Sequence, residues 1–125
     1  MESLTPNLMV ANVNETVAFY RDTLGFTLLM SVPETGTFNW AMVQCGKVEL
    51  MFQERKNLIA EYPMLKEQQS GGALTLYIKV NDVESWYERL NGKVKIVAEL
   101  HKTFYGTNEF SIQDCNGFIL TISKE

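Results

Sequence analysis

The chain has 125 residues, enough for one compact domain with its own core but short for two. Hydrophobic residues make up 46% and charged residues 21%, which is the composition of a folded protein and excludes a disordered one. The net charge of -4 and the pI near 5.0 argue against nucleic acid as a partner, and no apolar segment is long enough to cross a bilayer.

The cellular compartment is suggested by two features of the sequence. The N-terminal segment has no basic region followed by an apolar stretch, so a secretion signal is not expected. Cys45 and Cys115 lack the CxxC spacing of metal or redox sites, which predicts reduced thiols. We therefore expect a cytoplasmic globular protein that does not associate with membranes.

The first half of the chain predicts a strand, a helix and three further strands. Residues 4–11 form the first strand, and Pro6 favours an edge position because proline cannot donate to a ladder. Asn12 is predicted to cap the helix, with Glu15 completing a capping box, and Gly25 is predicted to end it. Turns containing glycine separate the three strand-like runs at 26–32, 38–45 and 47–53.

The second half repeats this order after a charged interruption. Residues 54–69 contain Pro63 and predict a linker with a short helix at most. Beyond it, Asp82 is predicted to cap a second helix, and strands are predicted at 73–80, 93–100, 107–114 and 118–124. Shifting the first half by 70 residues places Asn12 on Asp82, so the capping residues repeat together with the hydrophobic pattern.

This duplication predicts an α+β fold built from two βαβββ modules within a single domain spanning residues 1–125. Module one covers about 1–53, the linker about 54–70 and module two about 71–125. Because each module is too small to bury its own sheet, we expect the two to form a curled mixed sheet around a cleft, with helices on the outer face. The alternative is a ferredoxin-like sandwich with additions. Trp86, on a helix face, is expected in the core.

Two segments resemble the vicinal oxygen chelate superfamily, also called the glyoxalase, bleomycin-resistance and dioxygenase family. NVNETVAFYRDTLGF, residues 12–26, resembles its first-helix signature, and YGTNEFSIQDCNGFILTI, residues 105–122, resembles its closing hairpin. In that hairpin a Tyr-Gly precedes a Glu-Phe strand and an Asp-Pro-Asp-Gly turn. Cys115 replaces the usual proline here, and Asn108 stands where arginine is common. The resemblance implies the duplicated fold, but one fold hosts many chemistries.

In metal-dependent members such as glyoxalase I, the resemblance implies ligands from the first and last strands of each module, usually His or Glu. The matching positions here are Thr5, Glu49, Thr75 and Thr121. Three neutral hydroxyls and one carboxylate form a poor ligand set for transition metals and a weak one for magnesium or calcium. His101, the only histidine, lies where the family places no ligand. We therefore expect no metal and no other cofactor.

Glu49 has two interpretations that the sequence leaves open. As a functional residue it would be a carboxylate on the cleft wall that binds a ligand, or a catalytic general base if apolar surroundings raised its pKa. As a structural residue it would be the polar member of an alternating strand. The three threonines are candidate ligand-binding residues as well, although threonine is common in strands.

In the bleomycin-resistance branch, the resemblance implies that aromatic side chains on this sheet form the walls of a drug groove. The further candidate ligand-binding residues are Trp40, Met42, Phe52, Tyr77, His101, Tyr105 and Phe110. Core packing is the alternative explanation for each of them. The Tyr105-Gly106 pair is expected in a loop over the cleft mouth.

These features favour a small-molecule-binding protein that holds an apolar or aromatic compound, such as an antibiotic, without metal-dependent catalysis. One alternative is a metal-dependent lyase or isomerase of the glyoxalase type, or a dioxygenase. Another is a structural or regulatory subunit with a vestigial cleft. Relatives with one pair of modules commonly dimerise, so the resemblance also implies a homodimer.

Overall fold

The computed structural model describes residues 1–125, which form two compact units, Met1–Ser70 and Gly71–Glu125. Each unit contains a four-stranded mixed sheet and the helix that follows its first strand. The predicted α+β fold of two βαβββ modules is confirmed. None of the helices combines the length and the hydropathy that a membrane span requires.

The elements follow the predicted order in both units. The first unit contains β1 (Asn7–Val10), α1 (Val13–Leu24), β2 (Thr27–Val32), β3 (Trp40–Cys45), β4 (Val48–Glu54), α2 (Arg55–Glu61) and a 3₁₀ turn (Pro63–Leu65). The second unit contains β5 (Thr75–Lys79), α3 (Val83–Leu90), β6 (Lys95–Lys102), β7 (Asn108–Gln113) and β8 (Ile119–Lys124). The strand ends differ from the predicted ones by three residues at most, as expected from hydrophobic pattern alone.

Both predicted helix caps are present. The side-chain oxygen of Asn12 accepts a hydrogen bond from the backbone N–H of Glu15 at 2.9 Å. That of Asp82 accepts from the N–H of Ser85 at 3.1 Å. Gly25 ends α1 in the left-handed conformation, with φ of 77°. The two helices therefore begin 70 residues apart with the same capping chemistry.

The first and last strands of each unit pair in parallel, and the other neighbours are antiparallel. The strand order is β1-β4-β3-β2 in one sheet and β5-β8-β7-β6 in the other. β1 therefore lies at an edge, as predicted from Pro6. Leu8 lies opposite Phe52, and Ile78 lies opposite Ile122, so the parallel register also repeats after 70 residues.

Each sheet packs one face against its own helix. Phe52 of β4 is buried, and its ring centroid lies 4.8 Å from that of Tyr20 in α1. Phe110 of β7 is buried too, and its ring centroid lies 5.1 Å from that of Tyr87 in α3. These contacts define the helix face of each sheet, and we call the opposite face its distal face. Side chains alternate between the two faces along each strand.

The distal faces carry most of the candidate residues. On the first sheet this face includes Asn7, Met30, Trp40, Met42, Glu49 and Met51, and on the second it includes Thr75, Tyr77, His101, Glu109, Ser111 and Thr121.

The segment after β4 is a short helix bound to the first unit. The Glu54 side chain caps α2 by accepting from the N–H of Asn57 at 2.9 Å. The Arg55 guanidinium then donates to the carbonyl oxygens of Lys66 at 2.8 Å and Gln68 at 2.5 Å. These bonds fold the segment back onto its own unit, because one planar cation satisfies two carbonyls of the same stretch.

The turn between β7 and β8 is organised by Asp114. One of its carboxylate oxygens accepts from the N–H of Asn116 at 2.8 Å and from the N–H of Phe118 at 2.9 Å. Cys115, which stands where the family has proline, directly follows Asp114 and is exposed. The turn therefore keeps its shape through a side chain and does not depend on a proline ring.

Trp86 of α3 departs from the expected core position. The side chain is half-buried, and the guanidinium carbon of Arg89 lies 3.9 Å from the centre of its ring. The two residues are three positions apart, so they lie on the same face of the helix. A cation over the indole takes the place of apolar neighbours on the outer side of α3.

Replacing Gly71 by alanine is expected to destabilise the protein more than replacing Gly36 does. Both have positive φ, 75° and 85°, so each alanine meets backbone strain, of about 1–2 kcal/mol. A Cβ on Gly71 would lie 2.6 Å from the carbonyl carbon of Gly117, whereas a Cβ on Gly36 would meet no atom within 4 Å. The clash adds about 1–3 kcal/mol. Urea unfolding of both variants measures the difference, and equal losses would contradict the contact.

Candidate functional site

The distal face of the first sheet is rich in methionine around a single tryptophan. Trp40 and Met42 lie two residues apart on β3 and are half-buried. Met42 lies opposite Met51 of β4 on one side and opposite Met30 of β2 on the other. The Met30 side chain is 57% exposed. This face therefore presents a flexible, polarizable apolar surface next to an indole ring.

Polar groups border this surface along β4. Glu49 is half-buried and accepts a hydrogen bond from the side-chain amide of Gln44 at 3.2 Å. Gln53 accepts from the amide of Asn7 at 2.8 Å and donates to the side-chain oxygen of Asn57 at 2.7 Å. The Glu49 carboxylate has further lone pairs that are not used by the Gln44 amide, and these can accept a hydrogen bond from a ligand.

Phe52 and Phe110 are corrected by the structure, because neither lies on a distal face. Both are fully buried on the helix faces, against Tyr20 and Tyr87. The reason is strand parity: Phe52 is three residues from Glu49, so the two side chains point to opposite sides of β4. These two residues belong to the core and form no wall around a ligand.

A buried carboxylate surrounded by hydroxyls occupies the distal face of the second sheet. Glu109 of β7 is 8% exposed and accepts from the Tyr105 hydroxyl at 2.7 Å and from the Thr107 hydroxyl at 3.1 Å. The Tyr77 hydroxyl of β5 bridges Glu109, at 3.2 Å, and Ser123 of β8, at 2.7 Å. We call these five residues the Glu109 cluster.

The charge of this cluster is set by the hydroxyls. Burial acts to raise the pKa of Glu109, but the hydrogen bonds from Tyr105, Thr107 and Tyr77 together outweigh it and lower the pKa below its usual value. The hydrogen bond to Glu109 in turn raises the pKa of Tyr105. At neutral pH the cluster therefore holds one carboxylate anion among protonated hydroxyls.

His101 lies beside this cluster, opposite Glu109 in the β6–β7 ladder, and is exposed. Its Nδ1 is 2.7 Å from the carbonyl oxygen of Glu99. A carbonyl oxygen only accepts, so Nδ1 carries a proton and donates to it. Tyr105 lies in the β6–β7 loop, as expected, where its ring centroid is 5.0 Å from that of the fully exposed Phe104.

The four positions that match the family's metal ligands do not fit a transition metal. In the first unit, Thr5 lies just before β1 and Glu49 bonds to Gln44. In the second, the Thr121 hydroxyl lies 2.8 Å from the Ser111 hydroxyl, and Thr75 is exposed. No three His, Cys, Asp or Glu side chains come together as a metal centre. Hydroxyls bonded to each other offer neither the charge nor the donor strength that nickel, zinc or iron prefers.

The strand register adds a detail about the second pair of threonines. Thr121 of β8 lies opposite Tyr77 of β5, whereas Thr75 lies opposite Ile119, two residues earlier. Thr75 and Thr121 share the distal face but are not direct ladder partners. The tyrosine that belongs to the Glu109 cluster is therefore the nearest β5 neighbour of Thr121.

Several residues of these sites were missed in the sequence. The buried carboxylate is Glu109, and the missed residues around it are Thr107, which donates to it, and Ser123, which bonds to Tyr77. On the first sheet, the missed residues are Met30 and Met51, which extend the apolar face. Glu109 alternates with the apolar Phe110 and Ile112, which indicates a polar residue on the distal side of β7. The signal for the two methionines was weaker, because their alignment depends on pairing between strands.

Comparison with known proteins identifies relatives of the fold. The family model for the glyoxalase/bleomycin resistance protein/dioxygenase superfamily matches residues 4–122. A glyoxalase/bleomycin resistance protein/dioxygenase from Nocardioides is similar in structure, with a TM-score of 0.78, 20% identity, and coverage of 99% of this chain and 83% of that one. No curated protein matches the chain.

Two further solved structures are similar. TioX from Micromonospora sp. ML1 has a TM-score of 0.76 and 20% identity, covering 99% of this chain and 96% of that one. A lactoylglutathione lyase from Agrobacterium tumefaciens has a TM-score of 0.73 and 17% identity, covering 99% and 94%. Similarity at these identities establishes the fold and leaves the reaction open.

Removing the Tyr105 hydroxyl, in Tyr105→Phe, is expected to raise the pKa of Glu109, because the anion loses a donor. A folded-state pKa below the unfolded value of about 4.3 contributes stability that is present above that value and is lost as the pH falls through the folded one. Glu109→Gln removes this titrating group, so the free energy of unfolding of the variant should fall less steeply than that of the wild type as the pH is lowered. Carboxyl-carbon NMR titration measures the pKa. Tyr62→Phe, outside the cluster, is the control, and equal pKa values in the two variants would contradict the assignment.

Proposed function

The chain belongs to the glyoxalase/bleomycin resistance protein/dioxygenase superfamily, and from this membership we propose that it is a cytoplasmic protein that binds an apolar or aromatic small molecule without metal-dependent catalysis. Within this superfamily the same scaffold serves binding and catalysis, so the choice rests on the side chains of the distal faces.

The observation that carries the proposal is the surface formed by Trp40 and the methionines beside it. Indole and thioether groups contact flat aromatic rings favourably, and methionine adapts its shape to different partners. Burial of ligand surface there would contribute roughly 25 cal/mol per Å². Met30 remains accessible at the edge of this surface. A compound with a planar ring system is therefore the best-suited ligand.

Glu49 and Thr5 are proposed to orient the ligand. The Glu49 carboxylate borders the apolar surface and already accepts one hydrogen bond from Gln44. A ligand hydroxyl or amine can donate to its remaining lone pairs. Thr5, which is half-buried, offers a hydroxyl on the same unit. These groups supply specificity, while the apolar contacts supply most of the affinity.

The absence of metal-dependent chemistry is supported by the donor set. Enolisation and oxygen activation in metal-dependent relatives need an ion that polarises the substrate's oxygens. Here threonine hydroxyls occupy three of the four ligand positions.

A homodimer is proposed on the family resemblance, and sedimentation analysis of the purified chain would measure its oligomeric state.

Binding of aromatic compounds is expected to change the fluorescence of Trp40, measured in a Trp86→Phe background so that it is the only indole. The titration uses a panel of planar quinones, aromatic amines and aromatic peptide antibiotics. Met42→Ser should weaken the binding of a responding compound about tenfold, because apolar contact area is lost.

The matched control is Met64→Ser. Met64 is 75% exposed and lies on the 3₁₀ turn, outside the strands that form this surface, so its replacement should leave the affinity unchanged. A panel without any response, or equal losses in the two variants, would count against the proposed binding surface.

Elemental analysis distinguishes the proposed binding protein from the alternative, which is a metal-dependent lyase, isomerase or dioxygenase. Protein purified without chelators should contain no stoichiometric nickel, zinc, iron or manganese under the proposal. A bound transition metal at one equivalent per chain, lost together with an activity on chelation, would replace the binding proposal with the enzymatic one.

A further inference from the structure

Three methionines lie side by side across three neighbouring strands of the first sheet. Met42 of β3 is the central one, and Met30 of β2 and Met51 of β4 lie directly opposite it on either side. All three occupy the distal face. A fourth methionine of this face, Met9 of β1, lies opposite Gln53, and its sulfur is 3.6 Å from the Arg55 guanidinium.

A strand irregularity brings Met30 into this row. The register between β2 and β3 shifts between Leu28 and Met30, because Leu28 lies opposite Val43 and Met30 lies opposite Met42. Leu29 is the extra residue of a β-bulge, a feature that often re-aims side chains next to functional sites. With an uninterrupted register Met30 would point to the helix face. The bulge therefore completes the row of three.

The reach of the side chains allows the three sulfurs to meet. Directly opposite residues in an antiparallel pair have Cβ atoms about 4.5–5.5 Å apart. Methionine has three rotatable side-chain bonds, so the two outer thioethers can lean toward the central one. Met30 is 57% exposed, which gives an ion access from solvent. One ion above Met42 can therefore contact all three sulfurs.

The donor chemistry selects the ion. Thioethers are neutral, soft ligands that favour Cu(I) over zinc, magnesium or calcium, which prefer imidazole or oxygen donors. A monovalent ion also needs less compensating charge than a dication. Glu49 lies on the same face, two residues before Met51, at about 7 Å along the strand, and its carboxylate offsets one positive charge.

We propose that Met30, Met42 and Met51 form a binding site for a soft monovalent metal ion, Cu(I), for which Ag(I) is a redox-stable probe. The site is distinct from the four positions that match the family's metal ligands, none of which is a methionine. It does not depend on the binding of an aromatic compound. Only coordination is involved, so no electron transfer is required.

Titration with Ag(I) tests the site through Trp40, which lies two residues before Met42 on the same strand face. A heavy ion held by the three sulfurs should quench its fluorescence at one equivalent per chain. The protein carries Trp86→Phe, together with Cys45→Ala and Cys115→Ser, because thiolates bind Ag(I) more tightly than thioethers do.

Met42→Leu should weaken Ag(I) binding by about tenfold or more, a loss seen even for groups that only support a metal ligand. Leucine keeps the volume and apolar character of methionine, so the fold should be retained. Met64→Leu, on the 3₁₀ turn, is the matched control and should bind Ag(I) like the parent.

Equal affinity in Met42→Leu and Met64→Leu, or no saturable binding in the parent, would overturn the site. Circular dichroism checks that each variant is folded. If the thiol-free background does not fold, competition against a chelator measures bound Ag(I) in the wild-type background, where Met42→Leu should bind one equivalent less than Met64→Leu. The Ag(I) titrations contain no aromatic compound and the aromatic titrations contain no metal, so failure of one proposal is measured independently of the other.

Discussion

Parallel pairing between the first and last strands of each unit determines which side chains of these strands lie on the helix face and which lie on the distal face. The pairing of Leu8 with Phe52, and of Ile78 with Ile122, assigns these apolar residues to the helix faces. The intervening positions then point to the distal faces, because side chains alternate along a strand. A slip of one residue would exchange the core with the candidate sites, so burial under α1 and α3 enforces the register.

The two units share this framework but carry different chemistry on it. The first distal face presents thioethers and an indole, with Glu49 at its border, whereas the second presents a buried carboxylate, Glu109, held by hydroxyls. The caps at Asn12 and Asp82 and the parallel register have stayed equivalent after duplication. The helix starts and the parallel register are therefore equivalent in the two units, whereas the distal positions carry different side chains.

Local signals in the sequence predicted the framework well. Asn12 and Asp82 indicate helix starts and Gly25 indicates a helix end, because these residue types favour the hydrogen bonds and backbone angles found there. Pro6 indicates an edge strand. Such signals depend on a few neighbouring residues. The expected core position of Trp86 was wrong, because helical spacing cannot distinguish an apolar neighbour from the Arg89 guanidinium.

The sites depended on pairing between distant segments and were predicted less completely. The donors to Glu109 come from β5 and from the loop before β7, and Tyr77 is 32 residues away in sequence. No local pattern indicates such a convergence. The position of Met30 depends on a bulge that shifts the strand by one residue. The position of Phe52, in contrast, can be predicted from local sequence, because a residue three positions from Glu49 on the same strand lies on the opposite face.

The turn at Asp114 has a practical consequence for work on this protein. The aspartate carboxylate fixes the backbone of the turn through the N–H groups of Asn116 and Phe118, and the Cys115 sulfur accepts from the side-chain amide of Asn116 at 3.4 Å. A spin label or fluorophore attached through its exposed sulfur would report from a rigid anchor on the second unit. The cysteine of this turn is thus a natural attachment point for spectroscopy.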